Sequence, residues 1–190
     1  VAGTVARFGG LDVLVNNAGI IETSLTDQCA VDTLPEEVWD AVYEVNLRAV
    51  WLATKFAAPH LRRSKRGPNI VNAASVSGLT GFPLGPIYCT SKGGVVQLTK
   101  VTAVDLAPTV RCNCLCPGVI ATPLARGHIE AAEDPGAAMR KLLAPQLVDR
   151  LGTPEEVAKL ACFLASDDAA FITGGVYPVD GGALAWIGTR

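Results

Sequence analysis

Residues 69–78 read Asn69-Ile70-Val71-Asn72-Ala73-Ala74-Ser75-Val76-Ser77-Gly78, a short apolar run that breaks at a hydroxyl and a glycine. Its length and its turn residues predict a buried strand over 69–74. Comparable runs stand at 11–15 (Leu-Asp-Val-Leu-Val), 110–115 and 175–179. Helical patterns separate them. Strands alternating with helices are the sequence sign of βαβ units, so the expected class is α/β with a parallel sheet.

The helical patterns have readable limits. Thr33 and Glu36 have capping-box spacing, with Pro35 tolerated in the first turn. Val38, Val42, Val45, Ala49, Leu52 and Phe56 then follow at intervals of 4, 3, 4, 3 and 4, which predicts one apolar stripe on a long helix. A second long helix is expected from about Tyr88 to Leu106, stopping at Pro108, and a third from Thr153-Pro154-Glu155-Glu156 to the Asp167-Asp168 region. Residues 119–150 mix Pro, Gly and charge before a short helical stretch over 137–149, the pattern of a lid or binding loop.

Composition narrows the class. The 190 residues, 49% of them hydrophobic, suit one domain with a substantial core. A net charge of -2, with Arg62-Arg63-Ser64-Lys65-Arg66 as the one basic cluster, argues against nucleic acid. That cluster reads as a solvated helix end. The apolar runs fall short of the roughly 18 residues a membrane span needs, and the N-terminus lacks signal-peptide character. Six cysteines without Cys-x-x-Cys spacing argue against zinc, and no metal site is expected. Cys112, Cys114 and Cys116 alternate along a strand, so their thiols share one face as small core residues of a reducing, cytoplasmic protein.

The chemistry gathers at the ends of the strands. Tyr88 and Lys92 stand four apart, one helical turn, so a cation can favour the phenolate and tune a tyrosine for proton transfer. Ser75 lies thirteen residues before Tyr88, just past a strand end, where open α/β sheets place ligands. Ser77 is its rival. Asn16-Asn17-Ala18-Gly19 and Pro117-Gly118, with Thr122 close behind, occupy the same position after two other strands.

These pieces, with Asn46 in Glu44-Val45-Asn46-Leu47 and Val179-Asp180-Gly181-Gly182 near the end, follow one another in order, and over about residues 5–183 the chain resembles the classical short-chain dehydrogenase/reductase family. The resemblance implies a Rossmann-like doubly wound parallel sheet. It implies an oxidoreductase that moves hydride between NAD or NADP and a secondary alcohol or ketone. It makes Tyr88 the general acid/base, has Lys92 lower the Tyr88 pKa and hold the nicotinamide ribose, gives Ser75 the substrate oxygen and lets Asn46 support a proton relay. Cofactor contacts would come from Asn17, Ala18, Gly19, Tyr88, Lys92, Pro117, Gly118, Ile120 and Thr122. It also implies homodimers or homotetramers built on the helices at about 34–64 and 88–106, where Val95, Val96, Leu98 and Val101 spread round the circumference, with 179–184 as a second contact.

One departure stands out. The family opens with a strand, a Gly-rich turn and a helix that holds the cofactor pyrophosphate, and no such segment precedes Leu11. The chain therefore reads as a partial domain over 1–190, lacking the first βαβ cofactor-binding segment, and as a fragment rather than a shortened product. As it stands, it would bind dinucleotide poorly. The competing reading is a non-catalytic remnant serving as a structural or binding subunit. Val76, Gly78, Phe82, Leu84 and 119–150 are the candidate walls of an apolar substrate pocket.

Overall fold

A computed structural model of the chain describes residues 1–130, 132–186 and 188. Four strands, β1 (Val13–Asn16), β2 (Asn69–Ala73), β3 (Arg111–Pro117) and β4 (Val176–Val179), form a parallel sheet in the order β1-β2-β3-β4. Each lies within two residues of its expected place. Seven α-helices accompany them among the described residues: α1 (Ala2–Phe8), α2 (Glu36–Tyr43), α3 (Ala49–Leu61), α4 (Pro86–Leu106), α5 (Pro123–Glu130), α6 (Pro135–Leu143) and α7 (Pro154–Ala165).

The sheet is covered on both faces. Ile70 and Cys112 pack with Ala57, Ala58 and Leu61 of α3 and with Ala103 and Leu106 of α4. Cys114 and Cys116 join Val50, Val95 and Val96 on the same side. The alternation of β3 turns Leu115 the other way, onto Val71 and Leu164 of α7. All three thiols of β3 are buried on one face, as the alternation predicts, and all six cysteines are free. Burial pushes the Cys112 thiol up to about 12, so it packs as a neutral hydrophobe. Val15 on β1 is 52% exposed, whereas Val71 on β2 is 1% exposed, and the difference marks β1 as the edge and β2 as a central strand.

The predicted stripe from Val38 to Phe56 does not run as one helix. A π-helical turn, Glu44–Arg48, interrupts it. Its wider turn delays the register by one residue. Before it, burial follows Val38 and Val42; within it, Asn46; after it, Val50, Thr54, Ala57 and Leu61. Ala49 and Phe56 are thereby rotated outward, and Phe56 is 59% exposed. The Thr33 cap also fails: α2 begins after Pro35, with no side-chain cap. The capping box at Thr153 and Glu156 forms with both hydrogen bonds, and Glu156 also pairs with Arg150. The basic cluster partly docks, since Arg66 and Ser64 bond Asp12 and Arg62 donates to the Asp105 carbonyl.

Candidate active site

The site lies where β2 ends and α4 begins. Ser75 follows β2 in extended conformation, and its hydroxyl accepts from the Ser77 N–H at 3.1 Å, starting a short 3-10 turn, Val76–Gly78. That turn lies directly on α4. A Cβ on Gly78 would stand 2.6 Å from the Lys92 carbonyl carbon and 2.8 Å from the Gly93 nitrogen. Glycine alone allows so close an approach, and it brings Ser75 beside Tyr88. Val76 is buried and Gly78 packs on α4, whereas Phe82 and Leu84 are 45% and 58% exposed.

Lys92 is 4% exposed. Its ammonium donates to the Ala73 carbonyl at 2.8 Å and lies over the Tyr88 ring, 5.7 Å from the centroid. Burial lowers its pKa to about 8. Tyr88 moves the opposite way from the expectation: burial raises its pKa, the neighbouring Ser75 hydroxyl pulls it down, and Cys89 and Glu22 add to the rise. Lys92 is not among these causes; its ammonium bonds the Ala73 carbonyl and lies over the ring face. Ser75, not Ser77, is the serine whose hydroxyl bears on Tyr88.

Asn46 ties this cluster to the end of β1. Its Oδ1 accepts from the Ile20 N–H at 2.8 Å, and its Nδ2 donates to the Ile20 carbonyl at 2.9 Å and to Ser91 Oγ at 3.2 Å. Ser91 in turn donates to the Tyr88 carbonyl at 2.9 Å. The π-helical turn thus presents Asn46 to a segment 26 residues away rather than to its own helix. A Cβ on Gly19 would lie 3.2 Å from Lys92 Nζ and 3.4 Å from Asn46 Oδ1, so the Gly19 backbone closes on both side chains. Asn16, at the end of β1, donates to Asn72 at 2.8 Å, while Asn17, Ala18 and Gly19 are exposed on the rim.

The other rim residues stand one strand over. Pro117 ends β3, and a Cβ on Gly118 would meet the Asp180 Cα at 2.8 Å. Ile120 forms a parallel bridge with Gly152, which closes the excursion from 119 to 152 at its base. The Thr122 N–H donates to the Ile120 carbonyl at 2.7 Å. Inside the excursion are α5 and α6 rather than the single helical stretch expected over 137–149, because Pro123 and Pro135 each open a helix. A cavity of about 170 Å³ lies at this base, against Ile120, Gln146, Arg150, Gly152 and Asp180, and none of Asn46, Ser75, Tyr88 or Lys92 lines it.

Two residues of the cluster escaped the sequence reading. Ser91 had a signal, since it lies three residues after Tyr88 on the same face of α4. Glu22 had none. It is a lone acid after an apolar dipeptide, yet it is fully buried, and its carboxylate accepts from Ile87 and Tyr88.

Fold and cluster together define a doubly wound α/β protein with its polar residues at the carboxyl ends of the strands. Comparison with known proteins narrows the class. Residues 1–183 match a family model described as enoyl-(acyl carrier protein) reductase. The chain is 40% identical over 186 residues to 2-(R)-hydroxypropyl-CoM dehydrogenase of Xanthobacter autotrophicus, covering 97% of this chain and 72% of that one. It is 44% identical over 182 residues to cyclopentanol dehydrogenase of Comamonas sp., covering 95% and 69%. The solved structure of Thermoplasma acidophilum aldohexose dehydrogenase superposes with a TM-score of 0.88 at 37% identity, over 98% of this chain and 72% of that one. The chain belongs to the short-chain dehydrogenase/reductase family, and its class of activity is oxidoreduction.

Proposed function

We propose that this protein interconverts a secondary alcohol and a ketone with NAD or NADP as hydride partner, using Tyr88 as the general acid/base. The observation that carries this reading is the convergence of Ser75, Tyr88 and Lys92 where β2 meets α4. Two of the similar proteins are named for alcohol substrates, 2-(R)-hydroxypropyl-CoM and cyclopentanol, which supports the same reading.

The residues present suit the nicotinamide-ribose end of such a cofactor. Lys92 uses one donor on Ala73, and two N–H groups remain for ribose hydroxyls. Gly19 lets the backbone approach that ammonium closely, and in this reading Asn17, Ala18, Pro117, Gly118, Ile120 and Thr122, which follow β1 and β3, contact the cofactor. The bound cofactor supplies the hydride acceptor or donor. The protein's own part is the proton. During reduction the buried Tyr88 phenol gives its proton to the substrate oxygen while Ser75 donates a hydrogen bond to that oxygen, and oxidation runs the same transfer in reverse from the phenolate, with Lys92 holding the ribose. Asn46 holds the Ile20 backbone and the Ser91 hydroxyl in place, and its role in this reading is to support a water that links Lys92 to solvent.

The test is to supply NAD⁺ and NADP⁺ with a panel of secondary alcohols, cyclopentanol among them, and to follow reduced-nicotinamide absorbance. Turnover with at least one pair is expected once a family strand, Gly-rich turn and helix that hold the pyrophosphate are joined to the chain, which by itself is expected to bind dinucleotide too poorly for the assay. Silence across the panel, and with the matching ketones and reduced cofactors, would reject the reading.

We further propose that copies pair through the outer faces of α3 and α4. Trp51, Phe56, Val101 and Val104 are 45%, 59%, 46% and 76% exposed there. Val95 and Val96 belong to the core of their own chain instead. Light scattering should return a dimer or tetramer mass, and a monomer at every dilution would refute the pairing. Among the described residues no helix is long and apolar enough to cross a membrane. Six free thiols support a reducing, cytoplasmic setting.

A further inference from the structure

α4 carries Tyr88, yet nothing in its own sequence caps it. Its N-cap is Gly85, without a side-chain bond, and Pro86 opens the first turn. The N–H groups of Ile87 and Tyr88 find their acceptor 65 and 66 residues away, in one oxygen of Glu22, at 3.2 and 3.1 Å. Glu22 opens the 3-10 turn Glu22–Ser24, three residues beyond Gly19. It is 0% exposed, and its second oxygen is buried without a partner.

A buried carboxylate with half its acceptor capacity unused is expensive. The helix dipole and the two N–H groups offset part of that cost. A neutral core residue would avoid it but would leave the first turn of α4 untied. The same short segment is also fixed at Ile20 by Asn46 and closes on Lys92 through Gly19. One stretch after β1 therefore references both Tyr88 and Lys92.

From this geometry we infer that Glu22 is a positioning residue for Tyr88, its buried carboxylate clamping the turn that aims the phenol at Ser75. This rests on the assignment of Tyr88 as the proton-transfer group. The charged and titratable groups around that phenol are Lys92 and Cys89 on α4, and Glu22 after β1; Ser75 at the end of β2 supplies a hydroxyl, and Cys116 of β3 stands near Lys92. Glu22 is like-charged with the phenolate, so removing its charge eases ionisation of Tyr88.

The experiment is tyrosinate absorbance against pH for the unaltered chain, Glu22→Gln and Glu22→Ala. Tyr88→Phe identifies the Tyr88 component among Tyr43, Tyr88 and Tyr177. In both Glu22 variants the Tyr88 midpoint should fall by about half a pH unit, a modest Coulombic effect. Hydrogen exchange at the Ile87 and Tyr88 amides should accelerate by roughly tenfold in Glu22→Ala, and by less in Glu22→Gln, which keeps one acceptor oxygen. An unmoved Tyr88 midpoint in Glu22→Gln, which is the variant more certain to fold, overturns the inference. Neither readout requires turnover. If Tyr88→Phe retains activity while the midpoint still shifts, the assignment of Tyr88 fails and the clamp stands.

Discussion

The cluster at the start of α4 and the excursion from 119 to 152 face the same rim of the sheet but are built differently. In the cluster, Glu22, Asn46, Ser75, Ser91 and Lys92 are polar and buried, and each is tied to a backbone group from another part of the chain or from its own turn. In the excursion, α6 has no buried residue, and Ile129 and Gln146 are the buried ones among the described side chains of 121–150. It is pinned at its base by the Ile120–Gly152 bridge and by Leu147 and Val148 on the Gly181 carbonyl. Reaction geometry thus rests on backbone-referenced packing that tolerates little change. The excursion, with little of it buried, tolerates more change.

Glycine substitutions break the comparison most sharply. Gly78→Ala puts its Cβ 2.6 Å from the backbone of Lys92, which cannot yield as a flexible side chain would. We expect a loss of about 3 kcal/mol on denaturant unfolding, at the upper end of overpacking costs, together with loss of activity as Ser75 is forced away from Tyr88.

Next in size is Lys92→Met, with the opposite sign. Burial lowers the Lys92 pKa from 10.5 to about 8. The folded protein therefore binds fewer protons than the unfolded chain between those values, and stability rises with pH across that window. Below it, the buried ammonium costs about 3 kcal/mol, and the bond to Ala73 returns about 1 kcal/mol. Lys92→Met should be about 2 kcal/mol more stable than the parent at pH 7, with the gain gone by pH 10.5. Unfolding curves at neutral and alkaline pH check this. A variant destabilised at pH 7 would mean that the ammonium is better satisfied than its burial suggests.

The smallest effect belongs to the excursion. A Cβ on Gly127, inside α5, meets nothing within 4 Å. Gly127→Ala should leave turnover intact and raise stability by at most about 1 kcal/mol, the helix-propensity gain. A loss like that of Gly78→Ala would show the excursion to be as tightly built as the cluster.

Much of this was legible in the sequence, and the exceptions share a cause. β2, β3, α4 and the Thr153 cap are written in local pattern, because alternation, length and turn chemistry act over a few residues. The stripe through Val45, Ala49 and Phe56 misled, because the π-helical turn belongs with a tertiary bond from Asn46 to Ile20 that periodicity cannot encode. Two helices in the excursion could have been read from Pro123 and from Asp134-Pro135, where the Asp134 side chain caps α6. The motif residues Ser75, Tyr88 and Lys92 were visible as spacing, but the raised Tyr88 pKa was not, since it comes from burial rather than from the neighbour at i+4.

The central claim is that the Tyr88 hydroxyl carries the proton on a preformed cluster. Tyr88→Phe removes that oxygen and keeps the ring packed against Lys92. With the alcohol and cofactor pair that the panel identifies, turnover should fall by about 10²–10⁴-fold, the range for loss of a general acid/base, while cofactor affinity stays within about threefold, under 1 kcal/mol. Turnover within tenfold of the parent, at unchanged affinity, would contradict the account.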